Sequence, residues 1–215
     1  MSKIRVWDLP LRLFHWALVM LVAVLVITGK TGGAAMQWHF LAGYGVLALV
    51  LFRVVWGFIG SATSRFSYFV HGCAAIRSYL KGQWQRNGHN PLGAWSVLAM
   101  LGMLLFQASI GLFSNDDIAS EGPLAKLISK DVSDSLSWLH KAINVNLLYA
   151  LVGLHVAAIL YYSIFKRKNL VMPMITGMQT AKESGDAVVD SWSLRLLALA
   201  VFTGICGLIA LLVNY

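Results

Sequence analysis

His15, His39, His140 and His155 lie inside or at the rim of apolar stretches long enough to cross a membrane. An ionisable side chain at membrane depth is costly, and its presence marks a functional site. A neutral imidazole at that depth is suited above all to giving a ring nitrogen to a metal. Four of them, spread over three segments, make two pairs. Arg53 is a further costly residue in the same apolar setting.

The elements that must carry these side chains are read from composition. Hydrophobic residues make up 58% of the 215 and charged residues only 12%, about half the charged share of a water-soluble domain. Five stretches lack Asp, Glu, Lys and Arg: residues 13–29, 31–52, 87–115, 142–165 and 196–215. Each can hold a spanning helix of about 20 residues, the first near the short limit. Continuous Leu, Val and Ala runs favour helices over a barrel. The expected fold is therefore all-α and integral to the membrane, with five helices near residues 13–28, 38–59, 94–113, 139–165 and 194–213. The first stretch follows Lys3 and Arg5 as a secretory signal would. No small-x-small site follows it, so it is read as a mature helix.

Lysine and arginine orient these helices. With the N-terminus in the cytoplasm, thirteen of the seventeen fall inside, Lys182 among them, and Lys30, Lys126, Lys130 and Lys141 fall outside. That is a strong positive-inside bias and puts the C-terminus in the periplasm of a bacterial inner membrane. The net charge of +8 then reports topology and contact with the lipid bilayer. No segment resembles a nucleic-acid-binding module, so no nucleic acid partner is expected. In the outer loop before the fourth helix, Asp116, Asp117, Glu121, Asp131 and Asp134 outnumber Lys126 and Lys130. The loop is either a solvated surface or a docking face for a basic redox partner.

Helix geometry sorts the histidines by depth. His15 lies near the inner end of the first helix and His39 near the outer start of the second. His155 follows His140 by 15 residues, roughly 22 Å deeper and within about 60° of the same face. His140 thus shares an outer level with His39, and His155 an inner level with His15. Two bis-histidine haem b groups fit this layout. Gly43 is one turn after His39 on the same face, where a planar macrocycle needs a position without bulk. It equally suits close helix contact in a membrane. Arg53 lies 14 residues after His39, roughly 21 Å inward and about 40° off that face. Two roles are open to it: neutralising a haem propionate, or snorkelling to the inner headgroups. No C-x-x-C-H is present, so any haem is held non-covalently. Cys73 and Cys206 are placed too differently for a disulfide. His71 and His89 read as loop histidines without metal, and Asn90-Pro91 reads as a helix N-cap and first helical residue.

The ordered motifs resemble a family. Val6-Trp7-Asp8-Leu9-Pro10, Arg12, Phe14-His15-Trp16, Gly43-Tyr44 and Phe52-Arg53-Val54-Val55-Trp56-Gly57 are followed by the Gly88-to-Gly93 motif. Asp116-Asp117-Ile118, Glu121-Gly122-Pro123-Leu124, Leu154-His155-Val156-Ala157-Ala158, Asn169-Leu170 and Met174-Ile175-Thr176-Gly177 complete the set. Together they resemble the bacterial cytochrome b561 proteins related to the cytochrome b subunits of nickel–iron hydrogenases. The resemblance implies a four-helix di-haem bundle with His15–His155 and His39–His140 as ligand pairs, and electron exchange between quinone and a redox partner. Two departures stand out. The family commonly separates the two fourth-helix histidines by one position fewer than the 15 here, which a bulge or shifted start near residues 144–146 would absorb. The fifth helix carries no charge and no histidine over residues 196–215, and its Gly204 and Gly207 suit an anchor or a contact between copies, as in a homodimer.

The expected organisation is a haem domain over residues 1–168, a cytoplasmic linker over 169–193 and the fifth helix over 194–215. The expected function is electron transfer across the inner membrane between a quinone pool, ubiquinone or menaquinone, and a periplasmic partner such as a cytochrome c. The alternatives are a self-sufficient quinone oxidoreductase acting on a small molecule such as superoxide, and a histidine-relay transporter. The transporter requires polar groups converging at the midplane, whereas here they gather at two levels.

Overall fold

The computed structural model describes residues 2–84, 86, 88–118, 120–181 and 188–214. Lys182 of the inside cations, and Asn87 and Tyr215 at the ends of two charge-free stretches, lie outside the described residues. Five helical spans are long and apolar enough to cross a membrane: Leu9–Thr31, Gly33–Ile59, Pro91–Gly111, Lys130–Ile164 and Trp192–Val213. The chain is an all-α, multi-pass membrane protein, as composition indicates.

The elements run in order: β1 (Ser2–Arg5), α1 (Leu9–Thr31), α2 (Met36–Ile59), the short α3 (Phe66–Phe69) and α4 (Cys73–Leu80). They continue with α5 (Pro91–Gly111), α6 (Lys130–Trp138), a π-helical turn at Leu139–Asn144, α7 (Val145–Ile164), α8 (Val171–Thr176), β2 (Met178–Ala181) and α9 (Trp192–Val213). Two starts differ from expectation by four residues or more. The first helix begins four residues early because Asp8 Oδ1 accepts from the Leu11 N–H at 2.7 Å, an N-cap. The fourth begins at Lys130 rather than 139, capped by Ser129. Its opening sequence Lys-Asp-Val-Ser-Asp-Ser is polar and hides it from an apolar scan. Asn90 caps α5 as expected, accepting from the Gly93 N–H at 2.8 Å. A bulge is also present, slightly earlier than expected. The π turn at Leu139–Asn144 contains His140 and takes up one extra residue, so the 15-residue gap advances the helix about as far as 14 regular residues would.

The chain divides into two compact units. One comprises Met1–His15, Arg53–Ala99 and Val152–Ala200. In it β1 and β2 pair antiparallel, Ser2 opposite Ala181 and Arg5 opposite Met178. Asp190, with a side chain only 1% exposed, is bonded by both Arg5 and Arg195. These charge-assisted bonds hold its carboxyl below the usual carboxylate range, Arg195 contributing most. Asp8 is fully buried and collects Trp56 Nε1 at 3.2 Å, Ser64 Oγ at 2.7 Å and Ser61 Oγ besides its cap bond. A carboxylate out of water is tolerable only with such a set of donors. Gly177 ends α8 at φ 80° and gives its carbonyl to Val6 N–H, and a Cβ there would lie 2.8 Å from the Trp7 carbonyl oxygen.

The other unit comprises Trp16–Phe52, Met100–Leu151 and Val201–Tyr215. Its core joins Leu47 and Ala48 of α2 to Leu112, Leu124 and Ile209, with Tyr44, Phe202 and Ile205 packed against them. The α9 helix therefore seats one apolar face on this core. Asn115 organises the polar loop, donating from Nδ2 to Ser133 and Asp134, while Lys130 engages both Asp117 and Asp134. Much of the loop's negative charge is thus met internally.

Candidate functional site

His39 projects from the first turn of α2. Its Nδ1 lies 3.1 Å from the Leu25 carbonyl and 3.2 Å from Thr28 Oγ1, both on α1. The Thr28 hydroxyl donates to the Val24 carbonyl at 2.7 Å, so its lone pairs face the ring. Both neighbours are acceptors, which places the proton on Nδ1 and leaves Nε2 for a ligand. His140 repeats the device, with Nδ1 3.1 Å from the Gln107 carbonyl on α5. Gln107 Nε2 returns a 3.1 Å bond to the His140 carbonyl. The two imidazole ring centroids lie 6.3 Å apart with their planes at 79°. An imidazole–metal–imidazole unit with bonds of about 2.0 Å separates ring centroids by about 6 Å. Hydrogen bonds from the distal nitrogens to carbonyls are also the usual means of orienting ligating histidines. This pair therefore fits a bis-histidine haem.

Two glycines, which sequence reading passed over, make room for these rings. A Cβ on Gly29 would lie 3.1 Å from His39 Cε1, and one on Gly111 would lie 3.1 Å from His140 Cε1. Gly43, singled out for lack of bulk, clears neither ring: a Cβ there would make an ordinary contact with Leu25 Cδ2 at 4.0 Å.

His15 and His155 both belong to the other unit. Arg53 is 1% exposed and lies over Phe66 at 4.9 Å and Phe69 at 5.7 Å. Its two terminal nitrogens are sealed from solvent and have no hydrogen-bond partner. Snorkelling is thereby excluded, because a snorkelling guanidinium ends in water. Asp8 supplies an opposite charge through space without bonding those two nitrogens. Such an orphaned buried cation suits an anionic ligand group, and a haem propionate is one.

His89 corrects the expectation of a solvated loop residue. Its ring lies between Trp7 at 4.7 Å and Phe69 at 4.8 Å, with Nδ1 enclosed and unpartnered. Burial pushes its pKa down to about 3, assisted by Arg53, His155 and His15. His71 is a loop residue as read, with Nε2 3.2 Å from Arg86. Cys73 and Cys206 are free thiols. Among the described residues no three His, Cys, Asp or Glu side chains converge on a metal position.

The family model for prokaryotic cytochrome b561 matches residues 6–177. The chain belongs to that family. It is a membrane b-type cytochrome, its cofactor is haem b and its work is electron transfer. It is similar to the probable Ni/Fe-hydrogenase B-type cytochrome subunit of Azotobacter vinelandii, at 27% identity over 85% of this chain and 90% of that protein. The same-named protein of Rhizobium leguminosarum bv. viciae is 22% identical over 86% and 92% of the two chains. The probable Ni/Fe-hydrogenase 1 B-type cytochrome subunit of Escherichia coli (strain K12) is 26% identical over 49% of this cytochrome and 57% of its relative. No solved structure matches.

Proposed function

We propose that this cytochrome binds two haem b groups, one between His39 and His140 and one between His15 and His155. It passes electrons between the quinone pool and a redox enzyme docked outside the inner membrane. The observation that carries the reading is the 6.3 Å separation of the His39 and His140 rings, each with Nδ1 committed to a carbonyl, which leaves Nε2 for a ligand. Haem, when bound, supplies one-electron redox chemistry. The chain supplies ligation, ring orientation and exclusion of water, and Arg53 offsets a propionate of the His15–His155 haem. Gly43 leaves the cofactor room beside His39.

The names of the relatives favour a hydrogenase as the partner over a free cytochrome c. The lysine and arginine distribution supports an N-terminus in the cytoplasm and a C-terminus in the periplasm. Residues 1–168 then form the haem domain, with 169–193 as a cytoplasmic linker and 194–215 as an added helix. The test is a reduced-minus-oxidised spectrum with a haem-to-protein ratio. Bands of b type and a ratio near two support the proposal. A ratio of one, or of zero in protein made with ample haem, overturns it.

A further inference from the structure

The two ring-orienting contacts of the His39–His140 pair are built to the same plan on different helices. The carbonyl that receives His39 belongs to Leu25, and the glycine clearing that ring is Gly29, four residues on. The carbonyl that receives His140 belongs to Gln107, and its glycine is Gly111, again four residues on. In an α-helix the carbonyl of residue i already accepts from the N–H of i+4, and the Cβ of i+4 leans back toward the N-terminus over that carbonyl. A second donor reaches the free lone pair with least obstruction where that Cβ is missing. At either position a methyl group would stand 3.1 Å from Cε1, tighter than ordinary packing, and 3.3–3.5 Å from Nδ1.

We propose that Gly29 and Gly111 are positioning residues that set the near-perpendicular angle of the two imidazole planes at this haem. Each glycine lets one ring dock on one carbonyl, and because the carbonyls lie on different helices the two dockings are independent. Their combination holds the planes at 79°. Thr28 adds a second acceptor on the His39 side and stiffens that ring further. The inference rests on the proposal that His39 and His140 ligate a haem.

The test is electron paramagnetic resonance of the oxidised, haem-loaded full chain in detergent. Perpendicular axial planes give a strongly anisotropic low-spin signal with one large g value, and parallel planes give a more ordinary rhombic one. The wild type is expected to show the large-g signal from this haem. Gly29→Ala and Gly111→Ala should each move that signal toward the rhombic form and leave the other haem's signal in place. Thr28→Ala, which removes the second acceptor and adds no bulk against the ring, should move it the same way by less. Gly204→Ala, with nothing within 4 Å of the added methyl, should leave the spectrum unchanged. A wild type without a large-g signal, or glycine and threonine variants that leave it unmoved, overturns the positioning role. His39→Ala and His140→Ala that retain two haems overturn instead the ligand assignment beneath it.

Discussion

His39 and His140 are held by neutral groups: two backbone carbonyls, a threonine hydroxyl and the space left by two glycines. In the unit that holds His15 and His155 lie buried ionisable groups: Arg53 with orphaned nitrogens, Asp8 wrapped in donors, and His89 between two aromatic rings. The first neighbourhood fixes geometry, and its nearby cation, Lys141, gives its ammonium to the Asn115 carbonyl. The second brings charge, and so sets the energy of whatever anionic or redox-active group it encloses. On the proposed ligand pairs, two sites of one kind are specialised by different physics, hydrogen-bond direction in one and field in the other.

The largest expected effects test whether the regions are separate sites at all. His39→Ala or His140→Ala should halve the haem content, and so should His15→Ala or His155→Ala, each leaving the spectrum of the other haem. A single variant that empties both sites would dissolve the comparison. Next comes charge. Arg53→Leu removes a buried cation and should lower the midpoint potential of the His15–His155 haem by about 60 mV or more, since a tenfold change in a one-electron couple is about 59 mV. The other potential should stay put in a redox titration. Equal shifts in both would mean that the field is not local.

His89 gives a smaller effect with a defined sign. Its folded pKa of about 3 lies below the unfolded value of about 6.5. Between those limits the unfolded chain takes up a proton that the native chain refuses, so stability falls as pH falls from neutrality. The slope is at most about 1.4 kcal/mol per pH unit. His89→Gln should flatten that slope in thermal unfolding between pH 7 and 5, and an unaltered slope would remove His89 from the charged neighbourhood. The smallest effect belongs to Lys130, whose pairs with Asp117 and Asp134 are exposed. Exposed pairs contribute little, so Lys130→Ala should leave the melting temperature unchanged within error.

The four histidines and Arg53 stand out in the sequence as site candidates because a polar group at membrane depth has few innocent explanations. The glycines beside them do not. Gly29 and Gly111 sit in the last turns of α1 and α5, where a glycine reads as a helix stop, and what they clear is a ring from another helix. His89 was misread for a related reason. Its local sequence is a turn and a cap, and the Trp7 and Phe69 that enclose it come from distant segments. The extra residue between His140 and His155 was countable in advance, and the approximate place of a bulge followed from it. That the bulge would contain His140 itself was not.

That π turn carries a consequence for chain length. Removing one residue from a regular helix rotates everything beyond it by about 100° and would carry His155 off its face. Within Leu139–Asn144 the surplus residue is already stored as a wider turn, so losing Ile143, for example, relaxes the backbone to ordinary α-helix and leaves His155 near its present bearing. This six-residue stretch is where the fourth span can shorten by one residue and still aim its histidines, and where a longer chain can arise from a shorter one without dismantling either site.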